Sequence, residues 1–449
     1  MTVLLYALGV LIFVMALTAS IALHEVGHLV PAKRFGVKVT QYMIGFGPTI
    51  WSRRKGETEY GFKWIPLGGY VRMIGMFPPR PGEDDTHLRD SSTGAIQTLA
   101  EDSRTAGVEV IAPQDADRVF YKLSAPKKII VMTGGPVMNL VLAIVLFAIL
   151  LVGFGNPSTP QTTTTIDTVS LCMAPAGSTA GAGATCSPDE QTPAAKAGLQ
   201  PRDRIVSMDG VPVDDWMTER ELIRERAGQT VPLVVERDGE LVELEITPAP
   251  NEVYELDDQG NVVMGADGQP QTTQAGFIGV TPRQELVPES ITAVPAFTWE
   301  QFTGSVSALA HLPVRLVDVA QAAFGSQERD PNGPIGIVGV GRLTGEAVSL
   351  DSLEVRDKAS FIIGILGSLN MFLFVLNLVP LLPLDGGHVA GAIWEALRRR
   401  LAALFKRPDP GPVDVTKALP LVYVMSVVLI GMSLLLLYAD IVRPIRLRG

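Results

Sequence analysis

The sequence predicts a polytopic α-helical membrane protein of about four transmembrane helices, with one mixed α/β domain inserted between them. Three observations carry that prediction. Apolar residues make up 47% of the 449 positions and charged residues only 19%, with a mean hydropathy of +0.27, which is outside the range of ordinary soluble enzymes. The apolar residues gather into four long runs, and the charged residues fill the intervals. The longest polar interval carries strand and turn signals of its own.

The first run covers about residues 3–31 and has no Lys or Arg before Lys33. It lacks the basic start and short core of a secretory signal, so 1–35 reads as a transmembrane helix. Residues 36–75 alternate apolar and polar positions around Gly45-Phe46-Gly47-Pro48 and Pro66-Leu67-Gly68-Gly69, which predicts short strands with tight turns. Residues 76–126 follow as a cytoplasmic loop, rich in Pro, Asp, Glu, Ser and Thr up to about residue 118. The second span, 127–155, starts at Lys127 and Lys128 and is apolar to about Phe154.

Within 161–285, Asp209-Gly210 marks a turn and Glu219–Arg226 a short helix. Val231–Glu236 and Leu241–Ile246 flank Arg237-Asp238-Gly239-Glu240, a hairpin signal. Residues 286–357 read as extracytoplasmic juxtamembrane helices, with the clearest helical pattern from Phe297 to Phe324, where Phe302, Val306, Leu309, Leu312 and Leu316 share one face. That face suits a membrane surface or the inserted domain equally. The third span, 358–388, contains Asn370 and Asn377, and the fourth covers 418–440. Each run is long enough to cross a hydrocarbon core of about 30 Å as a helix.

Basic residues set the expected orientation. Arg398, Arg399, Arg400, Lys406 and Arg407 lie between the last two spans, and Lys33, Arg34, Lys38, Arg53, Arg54 and Lys55 follow the first. Both clusters should stay cytoplasmic, which puts 156–357 and both termini outside. Arg443, Arg446 and Arg448 pull the other way. The formal charge of −10 concentrates in the outer interval and reads as a solvated domain surface, with no nucleic-acid footprint.

The chemistry-bearing motif is His24-Glu25-Val26-Gly27-His28 in the first span. Residues four apart share a helix face, so both imidazoles can reach one metal ion, with Glu25 beside it as a general base. An ionisable cluster at membrane depth marks a functional site. A catalytic zinc usually takes three protein ligands, and no third His or Glu follows shortly downstream. The remaining candidate is Asp385, at the cytoplasmic end of the third span, where Pro380 and Pro383 break the helix.

With these motifs in hand, the chain resembles the bacterial site-2 proteases, the branch that holds the regulator-of-sigma-E proteases and their actinobacterial relatives. The resemblance rests on the helix motif, Gly45-Phe46-Gly47-Pro48, Pro66-Leu67-Gly68-Gly69-Tyr70, Gly135-Pro136-Val137-Met138-Asn139 and Leu384-Asp385-Gly386-Gly387-His388. The order of pieces in the inserted domain, ending at Gly276–Val280, resembles a circularly permuted PDZ domain.

The resemblance implies Zn2+ on His24, His28 and Asp385, and Glu25 as general base. It implies a membrane-dipping β-hairpin whose Gly68 and Gly69 receive substrate, and Asn139 and Asn377 as substrate-positioning residues; helix-packing hydrogen bonds account for those asparagines equally well. Substrates would be single-span membrane proteins, with anti-sigma factors the implied class, cut second in regulated intramembrane proteolysis at the inner (plasma) membrane. Only one PDZ-like domain fits between the second and third spans, and the 76–118 loop matches no family motif. Cys172 and Cys186, the only cysteines, fall in the expected outer segment, which predicts a disulfide. A metal-incidental PDZ scaffold is the alternative reading; the absence of an internal repeat argues against a transporter.

Overall fold

The computed structural model of the chain describes residues 2–76, 87–89, 108–110, 112–173, 190–255, 262–265, 269–325, 327–350, 353–413 and 419–445. They divide into two compact units, Met1–Phe154 together with Ser290–Gly449, and Gly155–Glu289.

The chain opens with α1 (Thr2–Arg34), which ends on Lys33 and Arg34 in the last turn. Strands β1 (Val39–Lys55) and β2 (Thr58–Met73) then pair antiparallel across a turn at Gly56. Both strands bend at midpoint, so four short segments lie side by side. Residues 49–55 pair with 58–63, which also pair with 41–46, which in turn pair with 69–73. Met43, for example, opposes both Gly61 and Tyr70. The bends fall at the turn residues that the sequence singles out, and Pro48 and Pro66 bring no backbone donor to the ladder there. Ile50, Trp51, Phe62, Trp64 and Ile65 leave large apolar surfaces exposed around the bends. At the other end Tyr42 donates from its hydroxyl to the Ala22 carbonyl (2.8 Å), tying the sheet to α1. Lys38 pairs with the buried Asp115 at 2.6 Å and holds that carboxyl below the usual carboxylate range.

Within the interval read as an aperiodic loop, β3 (His87–Arg89) and β4 (Val108–Val110) form a small antiparallel pair. Helix α2 (Ala125–Gly153) follows.

The Gly155–Glu289 unit holds β5 (Gln161–Val169), α3 (Pro193–Ala197), β6 (Arg204–Met208), β7 (Val211–Pro212), α4 (Trp216–Glu225), β8 (Val231–Arg237) and β9 (Glu240–Ile246). It ends with β10 (Ala249–Tyr254), β11 (Thr272–Phe277) and β12 (Val280–Glu285). The main sheet runs β12-β5-β6-β8-β9, with β7 on β6, and β10 pairs separately with β11. Ile166, Ile205, Met208, Leu233, Val235 and Ile246 form its buried core. Asp238 and Gly239 turn β8 into β9 with positive φ at both positions, the geometry that a two-residue hairpin loop favours. Cys172 is disulfide-bonded; Cys186 lies outside the described residues.

The first unit resumes with α5 (Val294–Ala310), α6 (Leu312–Phe324), α7 (Ile337–Ser349), α8 (Val355–Asn377), α9 (Asp385–Leu404) and α10 (Leu419–Val442). Among the described residues four helices are long and apolar enough to cross a membrane, namely α1, α2, α8 and α10, and these correspond to the four apolar runs of the sequence. The third run is not one helix. It stops at Asn377, irregular chain follows, and α9 starts at Asp385.

Two further features were not anticipated. Helix α7 packs on the N-terminal half of α1 through small residues; a Cβ on Gly9 would lie 2.7 Å from the Thr344 carbonyl oxygen. Its first turn is capped by α10, whose Asp440 accepts from the backbone N–H groups of Gly336 (2.9 Å) and Gly339 (2.8 Å) and from Arg329 (2.7 Å).

Candidate metal centre

The centre is assembled where α1, α2 and the start of α9 meet. His24 and His28 lie one helical turn apart on α1, with Nε2 atoms 3.3 Å apart. Asp385, the first residue of α9, brings Oδ2 to 3.4 Å from each of those nitrogens. All three donor atoms fall within 4.8 Å of one another, and no other such group occurs among the described residues. Ligands about 2.0–2.1 Å from a tetrahedral zinc sit roughly 3.3 Å apart, so the spacing fits that ion.

Two surrounding features point the same way. His28 Nδ1 lies 2.8 Å from the Val131 carbonyl oxygen of α2, which fixes the ring and leaves Nε2 facing the centre. Opposite the imidazoles, α2 presents Gly135, where a Cβ would fall 2.2 Å from His28 Nε2 and 2.7 Å from His24 Nε2. Only hydrogen fits there. The helices can approach so closely because Gly27 faces Gly134, where a Cβ on Gly27 would meet the Gly134 oxygen at 2.2 Å.

Asp385 is held by the irregular segment before it. Gly386 and Gly387 allow that segment to fold back over the first turn of α9, since Cβ atoms there would strike the Leu378 and Val379 carbonyls and the Leu382 nitrogen at 2.3–2.5 Å. Glu25 is buried at 5% exposure, next to Gly69 of β2, where a Cβ would be 3.0 Å from Glu25 Cγ. The edge segment 69–73 of the hairpin therefore runs past the carboxylate. Gly68 adopts φ +104°, which an L side chain avoids, and the Phe46 ring fills the space where its Cβ would be.

The asparagines separate into different settings. Asn139 lies on α2 one turn beyond Gly135, 1% exposed, and its Oδ1 has no hydrogen-bond partner among the described residues. Asn377 is the half-buried last residue of α8. Asn370, by contrast, donates to Ser20 on α1 (3.1 Å) and to the Leu366 carbonyl (2.8 Å), a helix-packing role. Sequence reading passed over a buried ion pair that fixes α9 against α2, Lys128 Nζ to Glu395 Oε2 at 2.8 Å. The two lie 267 residues apart, and no local pattern signals such a pair.

The chain matches the model of peptidase family M50 over residues 12–407. It is 34% identical over 452 residues to zinc metalloprotease Rip1 of Mycobacterium bovis, covering 99% of each chain. The Rip1 of Mycolicibacterium smegmatis is 32% identical, covering 98% of this chain and 99% of that one. Metalloprotease MmpA of Caulobacter vibrioides is 27% identical over 402 residues, 87% of this chain and 86% of its own. A family match across most of the length and donor atoms at zinc spacing, two of them on an apolar helix, lead to one conclusion: the chain belongs to peptidase family M50, the site-2 proteases, and is a membrane-resident zinc metalloendopeptidase.

Proposed function

We propose that the protein is an intramembrane endopeptidase that cuts single-span membrane proteins near the cytoplasmic face, with His24, His28 and Asp385 as zinc ligands and Glu25 as general base. The observation that carries this reading is the convergence of those three donors beside a buried Glu25, on a helix built to span the membrane. Zinc, when bound, supplies a Lewis acid for the scissile carbonyl and acidifies water. Glu25 accepts the proton of the attacking water and passes it to the leaving amine. A helical substrate conceals its carbonyls in its own hydrogen bonds, so the segment to be cut must be extended first. The 69–73 edge beside Glu25 offers backbone groups for strand addition at Gly68 and Gly69. Asn139, with an unpartnered buried oxygen, and Asn377 bind the extended backbone. The exposed Trp51, Phe62, Trp64 and Ile65 dip the hairpin bends into the lipid interface.

The Gly155–Glu289 unit is a PDZ-like domain on the extracytoplasmic side, as the basic clusters after the first span and between the last two suggest. There it restricts entry to proteins already trimmed outside, so the enzyme makes the second cut in regulated intramembrane proteolysis. Anti-sigma factors are the proposed substrates. A disulfide between Cys172 and Cys186 closes a local loop in this unit; two thiols labelling in unreduced, denatured protein would reject it.

Zinc content and cleavage together test the catalytic reading. His24→Ala, His28→Ala and Asp385→Asn should each lose zinc and activity, whereas Glu25→Gln should keep zinc and lose cleavage. Full zinc and activity in Asp385→Asn would show the third ligand to be elsewhere.

A further inference from the structure

Helix α9 has a second face that the metal centre does not use. Ile393, Trp394, Leu397, Leu401 and Leu404, with Phe405 just beyond the helix, are between 43% and 75% exposed. At about 100° per residue they fall within one stripe roughly 120° wide. Glu395, which pairs with Lys128, projects from the far side of the helix, so the stripe turns away from α2.

Charge is arranged around this stripe in a regular way. Arg398 and Arg400 fall roughly 80° to either side of its centre. Exposed Lys406 and Arg407 follow the helix, and no acidic residue lies between Arg398 and Arg407. Arg399 points elsewhere, to Glu395 at 3.2 Å and Asp409 at 3.4 Å. The depth of the stripe is fixed by the same ion pair. Lys128 is in the first turn of α2, where that apolar span begins, so the half of α9 beyond Glu395 runs at the level where the spans meet water. An apolar stripe bordered on both sides by long cationic side chains, at that level, is complementary to acyl chains beneath and phosphates above.

We propose that the C-terminal half of α9 is an interfacial helix docked on anionic phospholipid headgroups of the leaflet nearest the metal centre. Arg398, Arg400, Lys406 and Arg407 take the phosphates, and Ile393, Trp394, Leu397, Leu401, Leu404 and Phe405 enter the acyl boundary. Because the same helix begins with Asp385, the lipid contact at one end steadies the candidate ligand at the other.

Spin labels on the full-length protein in nanodiscs test the proposal. Leu401→Cys lies on the stripe and Ala403→Cys on the opposite, exposed side. In nanodiscs containing phosphatidylglycerol, the label at 401 should collide with oxygen and be shielded from a water-soluble nickel complex, while the label at 403 should meet nickel. The shielding should weaken in pure phosphatidylcholine. Each of Arg398→Gln and Arg400→Gln should raise the phosphatidylglycerol fraction needed for half-shielding by about fivefold. Equal nickel access at both positions would overturn the proposal. So would shielding that ignores phosphatidylglycerol, or shielding from both reagents with dipolar broadening between labels, which would mean that a second copy covers the stripe.

Discussion

Among the buried side chains whose oxygen atoms lack hydrogen-bond partners within the described residues, Asn139 and Glu219 have settings that give them different meanings. Asn139 is neutral and lies on α2 one turn beyond Gly135, and the reading proposed above gives its oxygen to the substrate backbone. Glu219 lies on α4, fully buried, with both carboxyl oxygens unpartnered. Burial pushes its pKa up from 4.5 to about 8. The folded domain thus holds a proton that the unfolded chain releases. The stability of the neutral form is complete below pH 4.5 and declines as pH rises toward 8, and above that value the decline stops. The loss is on the order of 1.4 kcal/mol for each pH unit between the two values. Pulse proteolysis of the full chain should show cuts within 155–289 increasing from pH 6 to pH 8, and Glu219→Gln should flatten that dependence. A Gln variant with the same pH profile would place the titrating group elsewhere.

Among the elements, the broken third span matters most for the metal centre. Because α8 ends at Asn377 and α9 starts at Asp385, the aspartate is not held by a continuous helix and depends on what fixes α9 from its other side. Lys128 and Glu395 do so, both under 8% exposed. Removing Glu395 leaves Lys128 buried without a partner, a cost of about 3–5 kcal/mol. Removing Lys128 leaves Glu395 only its contact with Arg399, a smaller loss, and replacing both with apolar residues is milder than removing Glu395 alone. Lys128→Met or Glu395→Met should therefore speed zinc loss to a chelator, and the Lys128→Met/Glu395→Met pair should recover much of it. Equal zinc retention in all three would mean that α9 is fixed by other contacts.

This pair also marks where sequence reading stops. His24 and His28 were legible because helical spacing alone puts them together, and Asp385 because prolines and glycines interrupt an apolar run there. The β1–β2 bends were legible from Gly-Pro chemistry. The bounds of α7 and its seat on α1 were not, since Gly339, Gly341 and Gly345 weaken helix propensity and the contact is made by small side chains rather than by a large apolar face.

For the molecule as a whole, the cap on α7 implies an order of assembly. Asp440 lies in the final span and satisfies N–H groups about a hundred residues earlier, while its other oxygen pairs with Arg329; both side chains are at most 4% exposed. During synthesis, α7 and Arg329 leave the ribosome well before their partner. Until the last helix is inserted, an arginine and a helix terminus have no carboxylate to meet, and α1 lacks a firmly seated neighbour along its N-terminal half. Helix α7 can therefore take its capped form only after the helix that carries Asp440 has been inserted. A chain stopped after Leu437 should insert its first three spans yet be digested around 327–350 where the full chain resists, and supplying 419–449 as a separate peptide should restore resistance. If the truncated chain resists protease as well as the full one, α7 is seated without its cap.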